Sequence, residues 1–279
     1  MKVLVTGAKG QLGYDVVKEL QKRNIENIGT DRNDFDLTDF DQTQNFILRH
    51  RPDVIIHCAA YTNVNKAEDE KDLCRLINVE GTKNIALACK KIDAKMIYIS
   101  TDYIFDGKKK SPYDVFSRTN PINFYGQSKL EGEKVVEQLL DKYFIVRISW
   151  VFGKNGNNFV KTMLNLAQTQ NELNVVCDQI GSPTYTVDLA KILCDMLETD
   201  RYGIYHATNE NFCSWYDFAS EIFKQSNINI KLNPVQSKDY PTKALRPANS
   251  RLSKQKLLLN GFSLLPPWQN ALARFLKEI

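Results

Sequence analysis

Residues 3–15, VLVTGAKGQLGYD, join a short apolar run to three glycines, Gly7, Gly10 and Gly13. An apolar run ending in glycine reads as a buried strand. The residues that follow, QLGYDVVKELQKRN (11–24), carry apolar side chains at helical spacing. Glycines between a strand and a helix let the backbone approach a charged group closely, and the helix N-terminus holds its negative charge. Such a turn alone is weak, because glycines also serve plain tight turns. Here Asp31 ends the next apolar run, NIGTD (27–31), eighteen residues past Gly13. That is close to the spacing of roughly 20 at which a carboxylate meets the ribose hydroxyls of a dinucleotide. The stretch predicts a βαβ unit built to hold a nucleotide.

Outward from it the pattern repeats. DVIIHCAA (53–60), KMIYIST (95–101) and YFIVRISWVFG (143–153) read as further strands, nearly all apolar, as in a parallel sheet covered on both faces. Between them, 41–51, 74–91 and 126–143 read as helices. Strand and helix alternation predicts an α/β fold with a Rossmann-like, doubly wound parallel sheet. After residue 153 the regularity breaks: 158–170 and 214–226 look helical, 173–179 and 202–208 look like strands, and prolines gather at 234, 241, 247, 266 and 267. A smaller α+β lobe is expected there.

Composition excludes several classes. The 279 residues are 43% hydrophobic and 25% charged with a formal net charge of +4, too mild an excess for a nucleic-acid stripe. No apolar run approaches the roughly 20 residues of a membrane span. Six cysteines without a CxxC pair, and no signal peptide, predict a reduced cytoplasmic protein. Three isolated histidines offer no metal-ligand spacing, so no metal is expected.

Tyr125 and Lys129 stand four apart in NFYGQSKLEG (123–132), one turn apart on a single helix face. An ammonium there would favour the ionised phenol. STDYIFDG (100–107) ends the fourth strand, with Thr101 suited to hydrogen-bonding an oxygen that develops charge.

With these features the chain resembles the extended short-chain dehydrogenase/reductases. It then narrows: GQLG, DFDLTD, AAYTNVNKAE, NVEGT, STDYIFDG, YGQSKLEGE, RISWVFG, NNFVKTM, DQIGSPT and RPANSRL run in order from residue 10 to 252. They resemble the successive blocks of the dTDP-4-dehydrorhamnose reductase family. The resemblance implies a Rossmann domain, 1–153 plus about 184–209, and a substrate lobe, about 154–183 and 210–279. It implies reduction of the C4 ketone of dTDP-4-dehydro-L-rhamnose by NAD(P)H, the last step toward dTDP-L-rhamnose for cell-surface polysaccharide. Tyr125, Lys129 and Thr101 would be catalytic. Gly7, Gly10, Gln11, Leu12, Gly13, Asp31, Asp36, Leu37, Ala59, Ala60, Tyr61, Thr62 and Lys129 would meet the cofactor. Thr101, Asp102, Trp150, Asn158 and Arg246 would meet the nucleotide-sugar. Asn78 would either act through a water or cross-link backbone.

NADH is favoured by Asp31, while Arg32 beside it could pair with the 2′-phosphate of NADPH. Asn65 stands where many relatives carry aspartate. Val187 falls where some have a magnesium-binding acid, so a metal-bridged dimer is not expected; monomer and homodimer both stay open. Two rivals share the motifs. Nucleotide-sugar epimerases and dehydratases are one, although no glutamate follows Asp102 as a 4,6-dehydratase would need. The other is a non-catalytic nucleotide-binding regulatory subunit, which need not keep Thr101, Tyr125 and Lys129 together.

Overall fold

The computed structural model describes residues 1–279. Its central sheet contains β1 (Lys2–Thr6), β2 (Glu26–Thr30), β3 (Val54–His57), β4 (Lys95–Thr101), β5 (Tyr143–Ile148) and the strand Gly203–His206. The order across the sheet is Gly203–His206, β5, β4, β3, β1, β2. Every neighbouring pair is parallel. The chain moves from β1 out to β2, then crosses back to β3 on the other side. That reversal opens a crevice above the carboxyl ends of β1 and β3, the place where open α/β sheets bind ligands.

The first eight α-helices are α1 (Gln11–Lys22), α2 (Phe40–His50), α3 (Lys71–Arg75), α4 (Thr82–Ile92), α5 (Phe124–Leu139), α6 (Phe159–Leu166), α7 (Thr186–Leu197) and α8 (Trp215–Gln225). Alternate strand residues feed two separate cores, because successive side chains point to opposite faces of a sheet. Val3, Val5, Ile56, Ile97 and Val146 pack with Val16 and Leu20 of α1 and Leu189 and Leu193 of α7. Leu4, Ile55, Met96 and Ile145 pack with Ile47 of α2, Ile85 of α4 and Val136 of α5. Each such aliphatic contributes about 1.5–3 kcal/mol on burial. This two-sided cover explains why the strands read as continuous apolar runs. A third core joins Val160 and Met163 of α6, Phe218 and Ile222 of α8, and Trp268 and Phe275 of the helix Trp268–Leu276. No helix is long and apolar enough to cross a membrane.

Two of the expected elements take a different course in the structure. The strand expected over 143–153 ends at Ile148, and Trp150 takes a left-handed backbone with φ +49°. The chain leaves the sheet there and re-pairs as Val151–Phe152 against Thr184–Tyr185. The helix expected over 74–91 is interrupted by a wider π turn at Leu76–Gly81. That turn aims the Asn78 side chain at the loop after β3, where its Oδ1 accepts from the Tyr61 amide at 2.8 Å and its Nδ2 donates to the Tyr61 carbonyl at 3.1 Å. Of the two roles open for Asn78, the geometry supports the backbone cross-link.

Candidate active site

The glycine turn sits at the crevice. Gly7 has φ +68°, and a Cβ there would lie 2.8 Å from the amide nitrogen of Ala59 at the end of β3. A Cβ on Gly13 would lie 2.2 Å from the Gly7 carbonyl oxygen. Both positions require glycine, and together they bring the turn against Ala59. Gly10 is the N-cap of α1 without a side-chain cap, so the first amides of that helix are free for an anionic group. The cradle fits a dinucleotide pyrophosphate. Leu12 is a core residue, so only its backbone can face a ligand. Gln11 carries an amide whose Oε1 accepts from Asn158 Nδ2 at 3.1 Å.

Asp31 lies just past β2, and its Oδ1 accepts from the Asn33 amide at 2.7 Å. Its other oxygen pairs with Lys9 of the glycine turn. That ammonium, then the Asn33 amide, hold the carboxyl below the usual carboxylate range. Sequence reasoning missed Lys9, although a lysine inside a glycine turn facing a strand-end aspartate is a visible signal. Asp36 turns inward on its own loop, accepting from the Thr38 amide and hydroxyl at 2.9 and 2.7 Å. Leu37 packs on Gly81 of the π turn, and its carbonyl accepts from Asn84 Nδ2 at 3.0 Å. Ala59, Ala60 and Tyr61 line the loop after β3 with Thr62 exposed beyond them.

Tyr125 is in the first turn of α5. A Cβ on Gly126 would lie 2.1 Å from the Tyr103 carbonyl oxygen, so glycine lets α5 close onto the end of β4, where Thr101 sits. The Tyr125 ring meets Tyr103 edge-on, with centroids 5.9 Å apart. Thr101 Oγ1 donates to Asp102 Oδ1 at 3.0 Å, and the buried Asp102 Oδ2 has no hydrogen-bond partner. Burial pushes the Asp102 carboxyl up to about 6. Burial, and then the Asp102 charge, push the Tyr125 phenol up, while the Thr101 hydroxyl opposes the rise. Lys129 is buried too, with its Nζ 4.0 Å from the Tyr98 ring centroid. Burial drives its ammonium down to about 7 against the opposing pull of Glu133.

This electrostatic balance differs from the sequence reading, in which Lys129 acidifies Tyr125. Desolvation dominates at the phenol and the Asp102 charge adds to it, so the phenol keeps its proton throughout the neutral range. A proton donor needs that state.

Trp150 stacks on Trp215 at the start of α8, with centroids 3.6 Å apart and planes 13° apart. Asn158 caps α6, accepting from the Lys161 amide at 3.1 Å, and also donates to the Gly153 carbonyl at 2.8 Å. Its amide is therefore committed to structure and to Gln11, more than the sequence suggested. Arg246 lies against the Tyr103 phenol. Beneath Lys129, Glu133 takes two bonds from Arg147, at 2.9 and 2.7 Å, and a third from the Ser100 hydroxyl. Sequence reasoning missed this buried pair, because nothing local sets Glu133 apart from the other polar residues of its helix and only its distance from water makes it special.

A parallel sheet with a glycine turn at its reversal point, with Thr101 and Tyr125 at its carboxyl edge and Lys129 one turn along α5, defines an extended short-chain dehydrogenase/reductase. The family model described as the RmlD substrate binding domain matches residues 1–279. The chain is 42% identical to a dTDP-4-dehydrorhamnose reductase of Aggregatibacter actinomycetemcomitans, covering 97% of each. A crystal structure of a dTDP-4-dehydrorhamnose reductase from Clostridium acetobutylicum superposes with a TM-score of 0.98 at 44% identity, over 100% of this chain and 99% of that one. The enzyme of that name from Bacillus anthracis, in complex with NADP, gives a TM-score of 0.97 at 45% identity, with the same coverage. The chain belongs to the dTDP-4-dehydrorhamnose reductase family.

Proposed function

We propose that the protein reduces the C4 ketone of dTDP-4-dehydro-L-rhamnose to the alcohol of dTDP-L-rhamnose with a nicotinamide cofactor. When bound, that cofactor supplies hydride to the ketone carbon. Tyr125 gives its proton to the carbonyl oxygen as charge develops there. Thr101 donates a hydrogen bond to the same oxygen, and Lys129 holds a ribose hydroxyl and stabilises the phenolate left behind. Arg246 clamps the pyrophosphate of the nucleotide-sugar with its planar fork, and Trp150 meets the sugar. In this reading residues 1–153 and about 184–209 hold the cofactor; about 154–183 and 210–279 hold the substrate. The observation that supports it is a buried Tyr125 phenol beside Thr101 at the carboxyl edge of the sheet, with the buried Lys129 one turn along the same helix, in a chain of this family. The test is oxidation of NADH and NADPH against a panel of 4-keto nucleotide-sugars. Turnover with the dTDP-4-keto-6-deoxy sugar is expected; a cofactor that stays bound while the sugar epimerises would overturn it.

We propose NADH as the preferred donor with NADPH also accepted. Asp31 repels a 2′-phosphate, but its pairing with Lys9 offsets part of that charge and Arg32 stands exposed beside it. Asp31→Ala removes roughly 1–2 kcal/mol of repulsion, a shift of about tenfold toward NADPH in the ratio of kcat/KM for the two cofactors. An unchanged ratio would mean that Asp31 does not read the ribose.

A further inference from the structure

Asn123, the residue before α5, uses both ends of its amide. Its Oδ1 accepts from the Gly126 amide at 2.8 Å, which caps the helix that carries Tyr125. Its Nδ2 donates to the carbonyl of Leu245 at 2.8 Å, a residue 122 positions away and adjacent to Arg246. Asn123 is buried, so neither bond is readily replaced by water. The segment around Arg246 has other anchors on the same surface. Lys243 pairs with Asp69, the Ala244 amide donates to Asn65 at 3.4 Å, and Pro247 packs so tightly on Gly107 that a Cβ there would lie 2.6 Å from it. None of those touches the catalytic helix. The contacts through Asn123 close a ring: Asn123 to Leu245, Leu245 to Arg246, Arg246 to Tyr103, Tyr103 to Tyr125, and Tyr125 back along α5 to Asn123.

We propose that Asn123 is a positioning residue that ties the segment bearing Arg246 to the catalytic helix, so that one side chain sets both the pyrophosphate clamp and the placement of the acid. This rests on the reading in which Arg246 meets the pyrophosphate and Tyr125 gives the proton. Two bonds of one amide make the idea separable, because aspartate keeps the acceptor and loses the donor. Asparagine and aspartate cap helices about equally well. In Asn123→Asp the cap to Gly126 survives, while a carboxylate oxygen now faces the Leu245 carbonyl and pushes the segment away.

The experiment compares wild type, Asn123→Asp and Asn123→Ala in steady-state kinetics, in thermal melting, and in calorimetric binding of dTDP, which carries the pyrophosphate without the sugar. For Asn123→Asp we expect KM for the nucleotide-sugar and Kd for dTDP to rise about tenfold, the effect of one lost bond plus repulsion. Its kcat should change much less, and its melting temperature should stay at the wild-type value. Asn123→Ala should raise KM similarly and melt lower, having lost the cap as well. Wild-type KM and dTDP affinity in Asn123→Asp would overturn the proposal. So would a KM that rises only in step with a falling melting temperature in both variants. A wild-type protein that neither binds dTDP nor reduces a dTDP-4-keto sugar would instead remove the functional reading, and this inference with it.

Discussion

Tyr125→Phe should lower kcat for ketone reduction by roughly 10²–10⁴-fold, the usual worth of a positioned general acid. The substitution keeps the ring, and with it the edge-on contact to Tyr103 at 5.9 Å, so shape is held while the proton is removed. Cofactor affinity should move little, since Lys129 and the glycine turn remain. Burial and the Asp102 charge keep the phenol protonated well above neutral pH. Its ionisation therefore sets no limb of the pH profile of wild-type activity between pH 6 and 9. The direct measurement is kcat for the variant at saturating cofactor, beside a melting temperature that shows the fold intact. Near-wild-type turnover would make Tyr125 structural and remove the mechanism proposed here.

The glycine turn, the parallel sheet and the placing of Tyr125 and Lys129 on one helix were legible because each is written locally. Gly7 and Gly13 have no room for a Cβ, the strands are apolar on both faces, and Tyr125 and Lys129 are one helical turn apart. What the sequence hid depends on the chain's return. Nothing around YFIVRISWVFG shows that the strand must stop at Ile148, since Trp215, whose ring receives Trp150, is 65 residues further on. The π turn at Leu76–Gly81 is equally invisible in a helical periodicity that its flanks satisfy. The helix Trp268–Leu276 has a signal that was there to use: Pro266 and Pro267 stand just before it, and Pro267 is its N-cap. Proline is well suited to a helix start. The direction of the Tyr125 shift is not written in the spacing either. Spacing gives the separation of phenol and ammonium along a helix, but the cost of desolvation is set by everything folded around both.

That cost gives Lys129→Met two effects of opposite sign. Lys129 is 3% exposed, and its ammonium is driven from 10.5 down to about 7, chiefly by burial. The unfolded chain keeps the proton up to about 10.5, whereas the folded chain releases it near 7. Between those values the unfolded state binds more protons, so stability rises with pH across that window; the penalty is greatest below it. Its size is of the order of 4 kcal/mol. Methionine fills the space of the stem and carries no charge, so at pH 7 the unliganded variant should melt higher by roughly 3–8 °C. The difference should narrow steadily as pH is raised toward 10. Activity should go the other way, because the variant lacks both the ribose contact and the charge that stabilises the developing phenolate; kcat/KM should fall by about 10²-fold or more. Wild-type kcat/KM for the cofactor should fall as pH rises through about 7, a limb kept in Tyr125→Phe and lost in Lys129→Met. A buried lysine that served only the fold would lose stability on replacement and leave the chemistry alone. Melting curves of the two proteins from pH 6 to 9.5 separate the cases: if Lys129→Met is less stable than wild type throughout, burial of this charge is not what sets its behaviour, and its assignment as an ammonium held in the site at the expense of the fold is wrong.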